Sequence, residues 1–160
     1  MVQRLTNIID ANNTTINFEM RRISFILTAE RLFDWHAALF PTGRSGIYKI
    51  TVAGWRNDST GPMQVVSGAM GKEKVHFQAP DSSLVETEMN RFLDWFNDKG
   101  NIDLVIKAAV AHLWFVTIHP FNDGNGRIGR VIINYQLYRS GFPGIIIRDK
   151  EKQIYYNSFK

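Results

Sequence analysis

Ile118-His119-Pro120-Phe121-Asn122-Asp123-Gly124-Asn125-Gly126-Arg127-Ile128-Gly129-Arg130 is the stretch on which the fold and the chemistry of this chain both turn. It follows residues 104–118, the most apolar run of the chain, and leads into residues 127–139, which have helical spacing. The first helix is expected to stop at His119, because Pro120 disfavours helical geometry for the residue before it. A glycine-bracketed loop comes next, and a new helix is expected from about Gly126. Such a loop aims several backbone N–H groups at one place, at the positive end of a helix dipole. That is an anion site, best suited to phosphate.

Four side chains with useful chemistry stand around this cradle. His119 titrates near neutrality and suits a general base. Asp123 offers a hard oxygen to Mg²⁺, an ion commonly held by one or two carboxylates plus substrate phosphates. Arg127 and Arg130 are three apart, hence neighbours on the opening turns of the new helix, and can fork onto phosphate oxygens. Each feature alone has an ordinary explanation. Asp-Gly-Asn-Gly is a common tight turn, a single histidine at a helix end is usually a cap, and two arginines are usually a solvated face. Their joint arrangement points to phosphoryl-type transfer. An EF-hand is excluded, because counting from Asp123 puts Arg127 where a ligand is required. A P-loop is excluded because no Gly-Lys-Ser or Gly-Lys-Thr follows. A zinc site built from His76, His112 and His119 lacks the ligand spacing.

Outward from this stretch, helical signals dominate. Thr28 is expected to cap a helix with Leu32, Phe33, His36, Leu39 and Phe40 on one face and Pro41 at its end. Residues 2–26 read as an earlier helix interrupted at Asn12-Asn13. Ser83-Leu84-Val85-Glu86 reads as a capping box opening a helix with Val85, Met89, Phe92, Leu93 and Phe96 at helical spacing, closed by Lys99-Gly100. Asp103 caps the next helix, which is apolar nearly all round and therefore expected to be central. The helix over residues 127–139 ends at Ser140-Gly141 with Pro143 just beyond, and a last helix is expected over residues 149–159. Between Pro41 and Pro80 glycines punctuate β-type segments at residues 47–52, 63–66 and 75–77, with residues 68–71 closing a small hairpin. The expected fold is mainly α, with one β-hairpin over the helices.

At 160 residues the chain suits one domain. A chain of about this length buries roughly two thirds of its unfolded surface, enough for a substantial core. Its net charge of +4 comes from scattered Lys and Arg, with Arg21-Arg22 the only adjacent pair. A nucleic-acid binder usually shows a denser basic stripe, so no nucleic-acid partner is expected. The absence of cysteine rules out disulfides and fits a reducing compartment. Residues 1–10 hold no apolar core of signal-peptide length, and residues 104–118 are too short to span a bilayer and carry Lys107 and His112. A cytoplasmic protein with no membrane partner is the expectation.

The central stretch resembles the signature of the Fic family, His-x-Phe-x-(Asp/Glu)-Gly-Asn-Gly-Arg-x-x-Arg, at every fixed position from His119 to Arg130. The likeness extends over residues 28–160, read as a Fic core, with residues 1–27 as an N-terminal helical extension. Residues 32–43 look like the family's first core helix, residues 61–77 sit where the family has a hairpin flap, and Tyr155-Tyr156 resemble its paired tyrosines. The resemblance implies a Fic-type helical bundle with a small β-hairpin flap over the active site. It also implies a protein adenylyltransferase, with ATP as co-substrate, Mg²⁺ as cofactor and a protein hydroxyl as acceptor. In that scheme His119 takes the proton from the target hydroxyl and Asp123 holds Mg²⁺. The backbone of Gly124, Asn125 and Gly126 receives the phosphates, with a side-chain contact from Asn125. Arg127 stabilises the leaving pyrophosphate, Arg130 holds the γ-phosphate, and Tyr155 and Tyr156 line the base and sugar end. Lys74, Val75 and His76 on the flap register the target backbone by strand addition.

Thr15-Ile16-Asn17-Phe18-Glu19 matches the start of the inhibitory motif carried by many family members, but Met20 stands where Gly or Asn is required. The chain reads as the core of a longer protein, in which Arg130 is unopposed and the domain active. The same site would also serve AMP removal, transfer of another phosphate-containing group, or plain nucleotide binding by an adaptor. Intact His119 and Asp123 argue against the last. Homo-oligomerisation is left open.

Overall fold

The computed structural model describes residues 26–58, 61–67, 72, 74–146 and 151. The inhibitory match at Thr15–Glu19, the turn over residues 68–71 and the pair Tyr155-Tyr156 lie outside the described residues. So do the expected helices over residues 2–26 and 149–159, except for a residue each.

Helix α1, Ala29–Leu39, opens where Thr28 accepts a hydrogen bond from the Arg31 N–H at 3.3 Å, and its apolar face buries Leu32, Trp35 and His36. Leu27 is stitched to the bundle just before it: Asn97 accepts from the Leu27 N–H at 2.9 Å and donates to the Leu27 carbonyl at 2.8 Å. Helix α2, Ser82–Asn97, buries Val85, Met89, Phe92, Leu93 and Phe96, the face expected from their spacing. Its cap is Asp81 rather than Ser83. Asp81 accepts from both the N–H and the hydroxyl of Ser83, and a carboxylate also complements the helix dipole. The helix ends at Asn97, slightly before Lys99-Gly100, and has no basic residue in its own last turn. Its neighbours supply the cations. Lys107 donates to the Asp98 carbonyl and Arg139 to the Phe96 carbonyl at 3.1 Å.

Helix α3, Leu104–Ile118, is capped by Asp103 as expected and packs between α2 and α4. It is not buried all round. Ala108, Ala111, Phe115 and Ile118 face the core, whereas Val105, Ile106, Val110 and Leu113 are exposed, because packed helices cover only part of its circumference. Helix α4, Asn125–Arg139, starts slightly earlier than expected, at the loop itself, and gives way to Ser140 and then Gly141 at φ +82°.

Two hairpins rather than one lie between α1 and α2. Strands β1, Arg44–Ser45, and β2, Tyr48–Lys49, are joined by Gly46-Ile47. Gly46 has φ 57, in the left-handed region. It opens a two-residue turn of the kind hairpins favour. Of the expected strand over residues 47–52 only Tyr48–Lys49 forms, because Ile47 belongs to the turn and β1 is itself two residues long. Strands β3, Gln64–Ser67, and β4, Lys74–Gln78, form the second antiparallel pair. Its register shifts between Val65 and Val66, which adds one residue to β4 at His76. Bulges of this kind re-aim side chains and often border functional sites.

One aromatic core holds the helices together. Phe92, Phe96, Phe115, Phe121 and Tyr135 are each almost wholly buried. Burial alone contributes about 1.5–3 kcal/mol for each such side chain. Phe121, from the loop before α4, belongs to this cluster and stands 6.3 Å from Phe115, ring to ring. The loop is thereby anchored in the core at its centre. No helix among the described residues is long and apolar enough to cross a membrane.

Candidate active site

Residues 119–124 join α3 to α4 as a loop whose carbonyls are tied back into the protein. Arg56 donates from Nε to the His119 carbonyl and from its backbone N–H to the Pro120 carbonyl, both at 2.8 Å. The buried Asn125 amide donates to the Phe121 carbonyl at 2.8 Å and accepts from the Phe121 N–H at 2.9 Å. His36 reaches the Asp123 carbonyl at 3.2 Å. The Thr51 N–H donates to the Asn122 side-chain oxygen at 3.2 Å. At the other end of the loop, Gly124 caps α4 with no side-chain hydrogen bond. The first-turn N–H groups of α4, including those of Asn125, Gly126 and Arg127, have no intrahelical acceptor and carry the positive end of the dipole. Carbonyls held by protein donors and N–H groups left at a helix head make an anion cradle.

His36 lies on the apolar face of α1, as expected, wholly buried and stacked on Phe121 at 4.1 Å. The Ala53 N–H donates to its Nδ1 at 3.4 Å, so Nε2 carries the proton that the Asp123 carbonyl accepts. This neutral tautomer fixes the backbone of the one carboxylate in the loop.

His119 closes α3 in the left-handed region, φ 53 and ψ 56, one of two non-glycine residues at positive φ among those described. Such a conformation costs on the order of 1–2 kcal/mol and persists only where its surroundings enforce it. The Arg56 bond to its carbonyl and the proline that follows are those surroundings. Its Nδ1 stands 3.1 Å from the Val116 carbonyl, which can only accept. Nδ1 therefore bears the proton and Nε2 carries the lone pair. A ring held in this tautomer is ready to take a proton at Nε2.

Asp123 is half-exposed at the mouth of the cradle. Ser45 donates its hydroxyl to Oδ2, the Gly124 N–H donates to Oδ1, and Arg127 stands 3.8 Å from Oδ2. A single exposed carboxylate beside N–H donors fits Mg²⁺ that arrives with phosphate oxygens to complete its shell. Among the described residues no group of three or more His, Asp or Glu could hold a metal by itself. Arg127 lies over the Phe40 ring at 4.8 Å. Arg130, one turn on, folds back over Gly126, where an added Cβ would meet its Nη1 at 3.6 Å.

His119, Asp123, Gly124, Gly126, Arg127 and Arg130 thus share one helix-loop-helix corner. Asn125 sits there too, but its side chain is buried and engaged with Phe121, so only its backbone N–H is available to an anion. Lys74, Val75 and His76 are the first three residues of β4, all exposed. Three residues escaped sequence reasoning. Ser45 sits in a glycine-broken segment without pattern, and Arg56 follows Trp55 in the same region. The signal for His36 was present: a polar side chain on an apolar helix face requires hydrogen-bond partners.

Burial pushes the imidazoles of His36, His112 and His119 below the usual histidine value of 6.5. The His119 imidazole therefore remains deprotonated, and able to accept a proton, to more acidic pH than a free histidine. Folding is affected as well, since the unfolded chain binds these protons more readily than the folded one. Stability is complete above pH 6.5 and lost as pH falls through the depressed values. Urea midpoints measured across the acid range should decline in that window, and a flat profile would contradict the burial of these rings.

A family model described as Fic/DOC matches residues 26–137, more than half of the chain. Protein adenylyltransferase fic-1 of Caenorhabditis elegans is 41% identical over 76 residues, covering 46% of this chain and 15% of its own. The protein adenylyltransferase Fic of Drosophila willistoni is 45% identical over 74 residues, covering 45% of this chain and 15% of its own. Among solved structures, a Fic domain-containing signaling protein from Bacteroides thetaiotaomicron superposes with a TM-score of 0.69 at 31% identity, over 83% of this chain and 47% of that one. Residues 134–508 of the nematode protein superpose with a TM-score of 0.65 at 26% identity, over 84% of this chain and 36% of that one. The matched part of the chain spans well under a third of the length of these curated relatives.

Proposed function

Because the chain belongs to the Fic/DOC family, we propose that it transfers AMP from ATP to a Ser, Thr or Tyr hydroxyl of another protein. The observation that carries this reading is the pairing of two things at one corner: an anion cradle at the head of α4, and a histidine whose Nε2 lone pair is fixed by the Val116 carbonyl on its other nitrogen. Relatives bearing the name protein adenylyltransferase, 41% and 45% identical over part of the chain, agree with it.

In the proposed reaction His119 Nε2 removes the proton from the target hydroxyl as its oxygen bonds to the α-phosphorus. The bond from that phosphorus to the bridging oxygen breaks, and pyrophosphate leaves. The backbone N–H groups of Asn125 and Gly126 receive phosphate oxygens, while that of Gly124 holds the Asp123 carboxylate beside them. Arg127 meets the charge growing on pyrophosphate, and Arg130 holds the γ-phosphate, which decides which phosphorus faces the attacker. Asp123 would hold Mg²⁺, whose charge offsets that of the phosphates. The target backbone adds as a strand beside Lys74, Val75 and His76, while Tyr155 and Tyr156 line the base and sugar. A cytoplasmic setting completes the proposal.

Parallel incubations with α-³²P-ATP and γ-³²P-ATP, with Mg²⁺ and with EDTA, test it directly. Label retained on protein from the α-position alone, and only with Mg²⁺, is the expected result. Retention of γ-label would make the enzyme a kinase, and removal of AMP from a pre-labelled protein without any transfer would reverse the direction of the reaction.

A further inference from the structure

Arg56 is a buried cation in a region that otherwise lacks regular structure. Its side chain has no solvent exposure, which for an arginine demands partners for its donors. The partners come from three separate places. Nε donates to the His119 carbonyl at 2.8 Å, Nη2 to the Pro80 carbonyl, and Nη1 to Asp58, while the backbone N–H holds Pro120. Pro80 lies two residues past β4, and the intervening Ala79 N–H donates to the Met63 carbonyl at 2.9 Å, closing the foot of the β3–β4 hairpin. Asp58 in turn accepts from the Ser82 N–H at 2.7 Å at the start of α2. One planar guanidinium therefore spans the foot of the hairpin and the strained residue His119.

We propose that Arg56 is a positioning residue that locks the foot of the β3–β4 hairpin to the backbone of His119, so that the surface offered to the target and the aim of the base move as one body. A rigid fork is suited to this task. Its donors leave at fixed angles, so a shift of Pro80 is transmitted to the His119 carbonyl rather than absorbed by a flexible stem. The same bond holds the carbonyl of His119 while that residue sits in the left-handed region at φ 53. The kinetic part of this inference rests on the AMP-transfer reading; the structural part does not.

The test uses the whole chain with Arg56→Lys, Arg56→Met and Asp58→Asn, the last retaining an acceptor for the Ser82 N–H. Hydrogen–deuterium exchange is followed in peptides covering residues 61–67, 74–80 and 115–125, with residues 85–97 of α2 as the internal reference. Each variant is expected to speed exchange in the hairpin foot and in residues 115–125 together. For Arg56→Met the rise should be about tenfold or more, and smaller for the other two, with the α2 reference unchanged. Faster exchange in the hairpin with residues 115–125 unaltered would overturn the coupling. So would a uniform rise that includes α2, which would make Arg56 a general stability residue. In the transfer assay, Arg56→Lys should lower kcat by roughly 10²-fold with KM for Mg-ATP changed less than about threefold. A loss carried by KM for Mg-ATP alone would contradict positioning of the base. A wild-type protein that transfers no AMP would count against the proposed reaction, and the exchange data would still decide the role of Arg56.

Discussion

Replacing His119 with alanine is expected to lower AMP transfer by about 10²–10⁴-fold while leaving Mg-ATP affinity nearly intact. In the proposed reaction the phosphates are received by backbone N–H groups and by Arg127 and Arg130 on the next helix, none of which needs the imidazole. Position 119 adopts a left-handed conformation, with φ 53. Alanine is a poor occupant of that region, so a second variant separates backbone strain from lost chemistry. Asparagine tolerates the conformation and has no proton-accepting nitrogen. His119→Asn should therefore melt close to the wild type and still be nearly inactive, with label transfer from α-³²P-ATP as the assay and calorimetry for nucleotide binding. Retention of transfer within about tenfold of wild type in His119→Asn would place the base elsewhere, since general-base removal at its weakest costs about 10².

Why the loop was legible in the sequence while its supports were not follows from the kind of information each uses. The placing of His119, Asp123, Gly124, Gly126, Arg127 and Arg130 rests on features that are local: a proline that stops a helix, glycines that turn the chain, an arginine pair one turn apart. The helices were legible for the same reason, since the spacing of Val85, Met89, Phe92 and Phe96 repeats on the buried face of α2. Asp81 outcompeted Ser83 for the cap because a carboxylate two residues earlier reaches the Ser83 N–H, a choice the Ser-x-x-Glu pattern cannot register. Arg56 and His36 act across 63 and 87 residues of chain, on His119 and Asp123 respectively. No short-range pattern encodes such a contact. It becomes visible only when the fold returns the chain to the loop. The exposed apolar side of α3 was misjudged by the same limit, because an apolar helix says how much of itself it would bury but not how many neighbours are there to bury it.

Gly124→Ala is expected to cause the largest loss of stability of any single-methyl change in the loop. Two penalties add at this position. The first is conformational: the residue sits at φ +83, in the left-handed region. An L side chain there costs on the order of 1–2 kcal/mol. The second is steric, since an added Cβ would stand 2.8 Å from Cε2 of Phe40 and 3.4 Å from Cδ1 of Leu39. Phe40 is itself buried at the end of α1, so it cannot swing into solvent to make room. Overpacking of this kind costs about 1–3 kcal/mol more, for a total of roughly 2–5 kcal/mol. Gly141 provides the control. It has nearly the same φ, +82, but nothing within 4 Å of an added Cβ, so Gly141→Ala should show the backbone cost alone. The difference between the two urea midpoints isolates the clash with Phe40. That clash also has a functional reading, because Arg127 rests on the Phe40 ring at 4.8 Å. If Phe40 yields, Arg127 moves with it; if the loop yields, the N–H groups at the head of α4 leave their common focus. Either way Mg-ATP affinity measured by calorimetry should fall by about tenfold or more in Gly124→Ala and stay unchanged in Gly141→Ala. Equal stability loss in the two variants, with affinity preserved in both, would mean that the cradle tolerates a side chain at its cap, and that phosphate is received somewhere other than the head of α4.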